Sequence, residues 1–224
     1  ATLSAIIVLS NSGSGSTSGV IAGVNYVAGV HRTDRQHRRV INMSLGGGSS
    51  GALDRAVSNA MLDGIFVAAA AGNDNQDACL ASPGRSQFAM TVGATDRSDV
   101  RADFSNFGNC VDIFGPGVDI QSTWFESDTA TNAISGTSMA CPHVAGIAAV
   151  YMQQSVVEDD YTFRIKDQII ADAAKDTIEN VEGSPNILAT TANMFNVTVP
   201  DSKPESSASA WTSATLLAVM TILA

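Results

Sequence analysis

The chain has 224 residues, 45% of them hydrophobic, enough for one sizeable core in a single domain. Its 12 basic and 22 acidic side chains give a formal net charge of −10, which opposes a nucleic-acid or anionic-membrane partner. The one basic run, residues 30–39, reads as a solvated loop between a helix and a strand.

Taken in order, apolar runs alternate with amphipathic stretches. Residues 3–9 read as a buried strand, 17–30 as a helix, 40–44 as a strand and 51–63 as a helix. In that second helix Leu53, Ala56, Val57, Ala60 and Met61 recur at three-to-four spacing, and Gly64 is placed to end it. Residues 65–71 return as a buried strand. Continuous apolar strands separated by helices imply an α/β fold, a mainly parallel sheet with helices on both faces. Short strand-like pieces follow at 90–94, 111–114 and 120–124, then helices over 137–153 and 162–174.

Residues 200–210 are rich in Pro, Ser and Ala and bury little, so the domain is expected to span 1–199 and to be followed by a disordered tail over 200–224. The apolar block 211–224 is too short to cross a bilayer. Small residues Ser206, Ser207 and Ala208 before it resemble a glycolipid-anchor signal. Asn196-Val197-Thr198 is a glycosylation sequon, and Asn42-Met43-Ser44 fits the same pattern but is expected to be buried near a cleft. Residues 1–9 have neither a charged leader nor a long apolar stretch, so they are not a signal peptide. A chain that starts inside a strand reads as the C-terminal portion of a longer precursor, its first strands lying upstream.

The run Gly136-Thr137-Ser138-Met139-Ala140-Cys141-Pro142-His143-Val144-Ala145-Gly146 carries the chemistry. It sets one hydroxyl where a glycine-flanked turn becomes an apolar helix. Thr137 is the expected N-cap, which leaves the Ser138 N–H unpaired in the first turn, able to hold the oxyanion of an attacked carbonyl. Pro142 falls in the second turn, where a missing N–H costs less than in mid-helix. A nucleophile elbow of the Gly-x-Ser-x-Gly kind needs an acid and then a histidine after the serine, and only His143 follows here.

This run resembles the active-site serine motif of the subtilisin-like serine proteases, the subtilases, in the branch that includes proteinase K. Gly13-Ser14-Gly15, the stretch Asn42-Met43-Ser44-Leu45-Gly46-Gly47, Ala70-Ala71-Gly72-Asn73 and Asp112-Ile113-Phe114-Gly115-Pro116-Gly117 match in the family's order. The similarity is strong over residues 3–151 and weaker to 192. It implies a subtilisin-like fold and a serine endopeptidase that cuts peptide bonds through an acyl-enzyme on Ser138, with Asn73 as second oxyanion donor. Gly13, Ser14 and Gly15 on one side and Ser44, Leu45 and Gly46 on the other would pair with an extended peptide. Together with Ala70, Ala71 and Gly72, the second run would wall a roomy, apolar pocket. No cofactor is required. The resemblance also implies a structural calcium held by Asp112 and the carbonyls of Gln87 and Ala89, and a disulfide between Cys79 and Cys110 that leaves Cys141 as a small buried side chain. Such a bridge closes a loop of roughly 30 residues, worth about 3 to 4 kcal/mol in the chain-entropy account, and fits an oxidising, extracellular setting.

The sequence also departs from the family. A serine hydroxyl needs an adjacent base, usually a histidine oriented by a carboxylate. Subtilases supply both from motifs that precede the region matched here, and neither motif occurs in this sequence. His143 lies five residues past Ser138 on the same helix, and His31 and His37 sit in the basic run. The expectation is therefore a monomeric, secreted protease acting on protein or peptide substrates, either free or anchored at the cell surface, of which these 224 residues alone are inactive. The alternative is a pseudoprotease that binds peptides without cutting them.

Overall fold

The computed structural model describes residues 1–154 and 161–192. The sequon at Asn196, the domain end near 199 and the apolar tail lie outside the described residues. In chain order the elements are α1 (Thr17–Thr33), β1 (Arg39–Met43), β2 (Gly47–Gly48), α2 (Gly51–Leu62), β3 (Ile65–Ala70), β4 (Ala81–Ser82), β5 (Met90–Thr95), β6 (Ile113–Pro116), β7 (Ile120–Thr123), β8 (Thr131–Ile134), α3 (Thr137–Gln154), α4 (Tyr161–Asp172), β9 (Ala174–Lys175) and β10 (Ile187–Leu188). Six strands form one sheet in the order β1-β3-β5-β6-β10-β9, parallel except for β9.

Every residue of β1, β3 and β5 is buried, so this sheet is covered on both faces. Helix α3 lies along β1, β3, β5 and β6, while α2 packs on β3 and is backed by α1. The helices start where their caps dictate. Ser16 accepts a hydrogen bond from the Gly19 N–H at 3.1 Å, and Ser50 accepts from Leu53 at 3.4 Å. Helix α2 stops at Gly64, whose φ of +94° few side chains tolerate, as its N–H turns back to the Met61 carbonyl.

Two expectations fail here. Residues 3–9 form no strand, and β1 is the edge of the sheet. Ile6, Val8 and Leu9 rest half-buried on the core while Ile7 is 88% exposed. An apolar run becomes a buried strand only with a ladder partner and cover on both faces, and this one meets the core on one side. The basic run is not a solvated loop either. Helix α1 continues through His31, which is buried at helical spacing from Val24, Val27 and Ala28, and Arg39 opens β1 with 1% of its surface exposed. The intervening turn folds around that guanidinium. Arg39 Nη1 donates to the carbonyls of Asp34 (2.6 Å) and His37 (2.8 Å) and to His31 Nδ1 (3.1 Å), and Nη2 donates to the Asp34 carboxylate at 3.1 Å. The charge is buried because it is paired on several sides.

Candidate active site

Parallel strands collect their carboxyl ends on one edge, and ligand sites of open α/β sheets gather there. Ser44, Leu45 and Gly46 follow β1, and Ala71, Gly72 and Asn73 follow β3. Helix α3 begins with its first turn at the same place, because Gly72 N–H donates to Thr137 Oγ1 at 3.2 Å. A cleft of about 430 Å³ results, lined by Gly13, Ser14, Gly15, Ser44, Leu45, Gly46, Ala70, Gly72, Asn73, Thr137 and Ser138. An adjoining recess of about 530 Å³ runs between residues 46–48 and 70–74, takes in Ala71, and is closed by Leu80, Ala81 and Ser82. All the residues expected to bind a peptide therefore border one continuous depression.

The cap differs from expectation. The Gly136 carbonyl accepts from the Met139 and Ala140 N–H groups, so Gly136 caps α3 and Thr137 is its first residue. The Thr137 hydroxyl is turned elsewhere. Asn73 Oδ1 accepts two bonds of 2.8 Å, one from the Thr137 N–H and one from its hydroxyl. With its oxygen held twice, the Asn73 amide has one orientation, and its Nδ2 lies beside Gly136. A Cβ built on Gly136 would lie 3.5 Å from Asn73 Nδ2 and 3.6 Å from both Ser138 N and Met139 Sδ, so the two nitrogens, with the sulfur, flank one small volume that glycine leaves open. The Ser138 N–H is the second of its helix, among those that have no carbonyl a turn earlier to bond.

Ser138 and Ser44 bond reciprocally. Ser138 Oγ donates to the Ser44 carbonyl at 3.3 Å, and Ser44 Oγ donates to the Ser138 carbonyl at 2.8 Å. Pro142 explains the second bond. It has no N–H for the carbonyl four residues earlier, which is that of Ser138, and the Ser44 hydroxyl takes its place. Asn42 Nδ2 in turn donates to Ser44 Oγ at 3.0 Å, while its Oδ1 is buried without a partner among the described residues. Cys141, fully buried behind this row, lies near Ser44 and the Met43 backbone, and burial pushes its thiol pKa well above the ordinary value.

Gly72 fixes the position of Asn73. Its φ is +107°, and a Cβ there would lie 2.3 Å from Asn106 Nδ2. Asn106, wholly buried, donates to the Ala71 carbonyl and accepts from the Asp74 and Gln76 N–H groups, bracing the turn from both sides. The sequence reading placed Asn42 in a buried position near the cleft, as found, but gave it no role, and it missed Asn106 and the bracing role of Thr137. Their signal is weak, because a buried amide and a turn-forming amide are alike in sequence.

None of the three histidines approaches Ser138 Oγ by hydrogen bond. His143 is exposed and bonds through Nδ1 to the Met139 carbonyl, while His31 and His37 are engaged with Arg39 and Asp34. Cys79 and Cys110 are joined, with Cα atoms 5.3 Å apart.

The residues expected to hold calcium are at the other end of the sheet, ahead of β5 and β6, and do not fit the ion. Lys166 Nζ donates to the Ala89 carbonyl at 2.6 Å and to Asp112 Oδ2 at 2.9 Å. An ammonium on both oxygens repels a divalent cation at the same point.

A profile described as the subtilase family matches residues 1–211. The extracellular serine proteinase of Thermus sp. (strain Rt41A) is 57% identical over 152 residues, which are 68% of this chain and 36% of that protein. Cerevisin of Saccharomyces cerevisiae is 44% identical over 201 residues, covering 82% of this chain and 32% of its own. Among solved structures, that of a cold adapted subtilisin-like serine proteinase superposes with a TM-score of 0.74 at 46% identity, over 81% of this chain and 63% of that one. The chain spans about a third of the length of these two named relatives. Matched along nearly all its length, and folded as a subtilisin-like proteinase is, the chain belongs to the subtilase family.

Proposed function

We propose that the protein is a subtilisin-type serine endopeptidase, with Ser138 as nucleophile and with the Ser138 N–H and the Asn73 amide as the oxyanion donors. The observation that carries this reading is the pair of nitrogens flanking one open volume at Gly136, beside the hydroxyl that would attack. Donors aimed in advance at the developing charge are worth about 100 to 1000-fold each in turnover. A substrate strand pairs with the backbone of residues 13–15 and 44–46, its side chain before the cut entering the recess walled by Ala70, Ala71 and Gly72. Main-chain pairing and small wall residues give a broad preference.

The base and its carboxylate are supplied by sequence other than these 224 residues, so this chain alone retains only residual catalysis. Extracellular action is supported by the disulfide and by the name of the Thermus relative, and the chemistry calls for no organic cofactor. A second reading, peptide binding without cleavage, is favoured by one observation: the Ser138 hydroxyl is bonded to a carbonyl rather than to an imidazole.

A serine-directed fluorophosphonate separates the two. In the longer gene product, rapid labelling at Ser138 and casein cleavage are expected, both lost in S138A, with turnover about 100 to 1000-fold lower in N73A. Absent labelling in a longer product that carries the acid and the base overturns the protease reading.

A further inference from the structure

Lys166 lies on α4, and its ammonium reaches back to the amino ends of β5 and β6. The Asp112 carboxylate it meets is held in place independently. Oδ2 accepts the Thr91 N–H at 2.8 Å, and the Asp112 N–H donates to the Thr91 carbonyl at 2.9 Å. Both side chains are well covered, with 14% of Lys166 and 28% of Asp112 exposed. The result is a fixed carboxylate and a fixed carbonyl converging on one positive point.

That arrangement has the outline of a small cation site. Calcium there would need about six to eight oxygens at roughly 2.3 to 2.6 Å. An ammonium is a compact point charge with three donors, and two oxygens plus water satisfy it. We propose that Lys166 is a tethered replacement for a metal ion, supplying from α4 the positive charge that Asp112 and the Ala89 carbonyl would otherwise draw from dissolved calcium. An ion dissociates when its concentration falls below its dissociation constant. A side chain on the same polypeptide does not. The joint between α4 and the start of β5 and β6 is therefore indifferent to chelators, and removing the ammonium uncovers an oxygen site with a net negative charge.

Thermal unfolding of the full 224-residue chain tests this, with the wild type, K166M and D112N each measured in EDTA and in about 10 mM calcium, some ten times the weakest dissociation constants of extracellular calcium modules. The wild-type Tm is expected to be the same in both media. In EDTA, K166M should melt about 4 to 8 °C lower, and calcium should return about 3 to 5 °C of that loss. K166M keeps the alkyl stem, so loss of packing does not account for the change. A wild-type Tm that calcium raises, and that D112N leaves unraised, overturns the proposal without reference to K166M. It is also overturned if K166M melts with the wild type in EDTA, or if calcium leaves the K166M Tm where it was.

Discussion

The two ends of the central sheet handle polarity in opposite ways. At the carboxyl ends of β1 and β3 the functional groups are neutral and small: Asn42, Ser44, Asn73, Thr137 and Ser138. They bond to one another so that certain donors stay open and one acceptor, Asn42 Oδ1, has no partner among the described residues. At the amino ends the groups are charged and mostly paired, with Arg39 Nε buried and without a hydrogen-bond partner among the described residues. Arg32 and Arg35 both meet Asp63, Arg39 meets Asp34, and Lys166 meets Asp112. The difference assigns tasks to the two ends. One is held by ion pairs, and the other keeps neutral groups that a bound strand or an oxyanion can complete. Leaving a buried donor or acceptor open costs about 1 to 3 kcal/mol, so the charged end helps to carry a cleft that does not stabilise itself.

The sharpest way to break this contrast is R39A. It strips the donor from two carbonyls and His31 in a fully buried place, and stability should fall by about 3 to 5 kcal/mol, read as a lower urea midpoint at constant slope. T137V is the counterpart at the cleft. It keeps the shape of the side chain but removes one bond to Asn73 and one from Gly72, for a smaller loss of about 1 to 2 kcal/mol. Local hydrogen exchange should rise at Gly72 and Asn73 while the charged end stays protected.

The smallest effect sharpens the account of the charged end through pH. Burial first, then Arg39 and Arg35, lower the His31 pKa below its ordinary 6.5. The unfolded chain therefore takes up the proton more readily than the folded one. Stability from this group is complete above pH 6.5 and declines as pH falls below that value, by at most about 1.4 kcal/mol per unit. Urea midpoints at pH 7.5 and 5.5 should differ less in H31Q than in the wild type, the remainder belonging to carboxylates such as Asp34, whose pKa the His37 hydrogen bond lowers. An equal pH response in H31Q would place the sensitivity elsewhere.

Periodicity made the layered fold legible. The helices and central strands lie within a few residues of where apolar spacing puts them, and Gly64 ends α2 as its position indicates. The cleft was legible through the motif around Ser138 and through the resemblance it carries, which also supplied the Cys79–Cys110 pair. What pattern could not reveal was pairing over distance. Arg35 finds Asp63 across 28 residues, and Lys166 finds Asp112 across 54. A charge that will be neutralised in this way looks in sequence like one that will be solvated. His31 did have a signal, its helical spacing from Val24 and Val27, but the surrounding basic residues obscured it. Residues 3–9 failed for the reverse reason, since an apolar run states a need for burial without stating what will meet it.

Cys141 has a use that follows from its place alone. Two of the chain's three cysteines are bonded to each other, which leaves this thiol, wholly enclosed on the helix that carries Ser138 and held far from its reactive thiolate form. An alkylating reagent gains access only while α3 lifts from β1, so the rate of modification under native conditions is a clock for that opening. It times the breathing of the cleft floor with no substrate present.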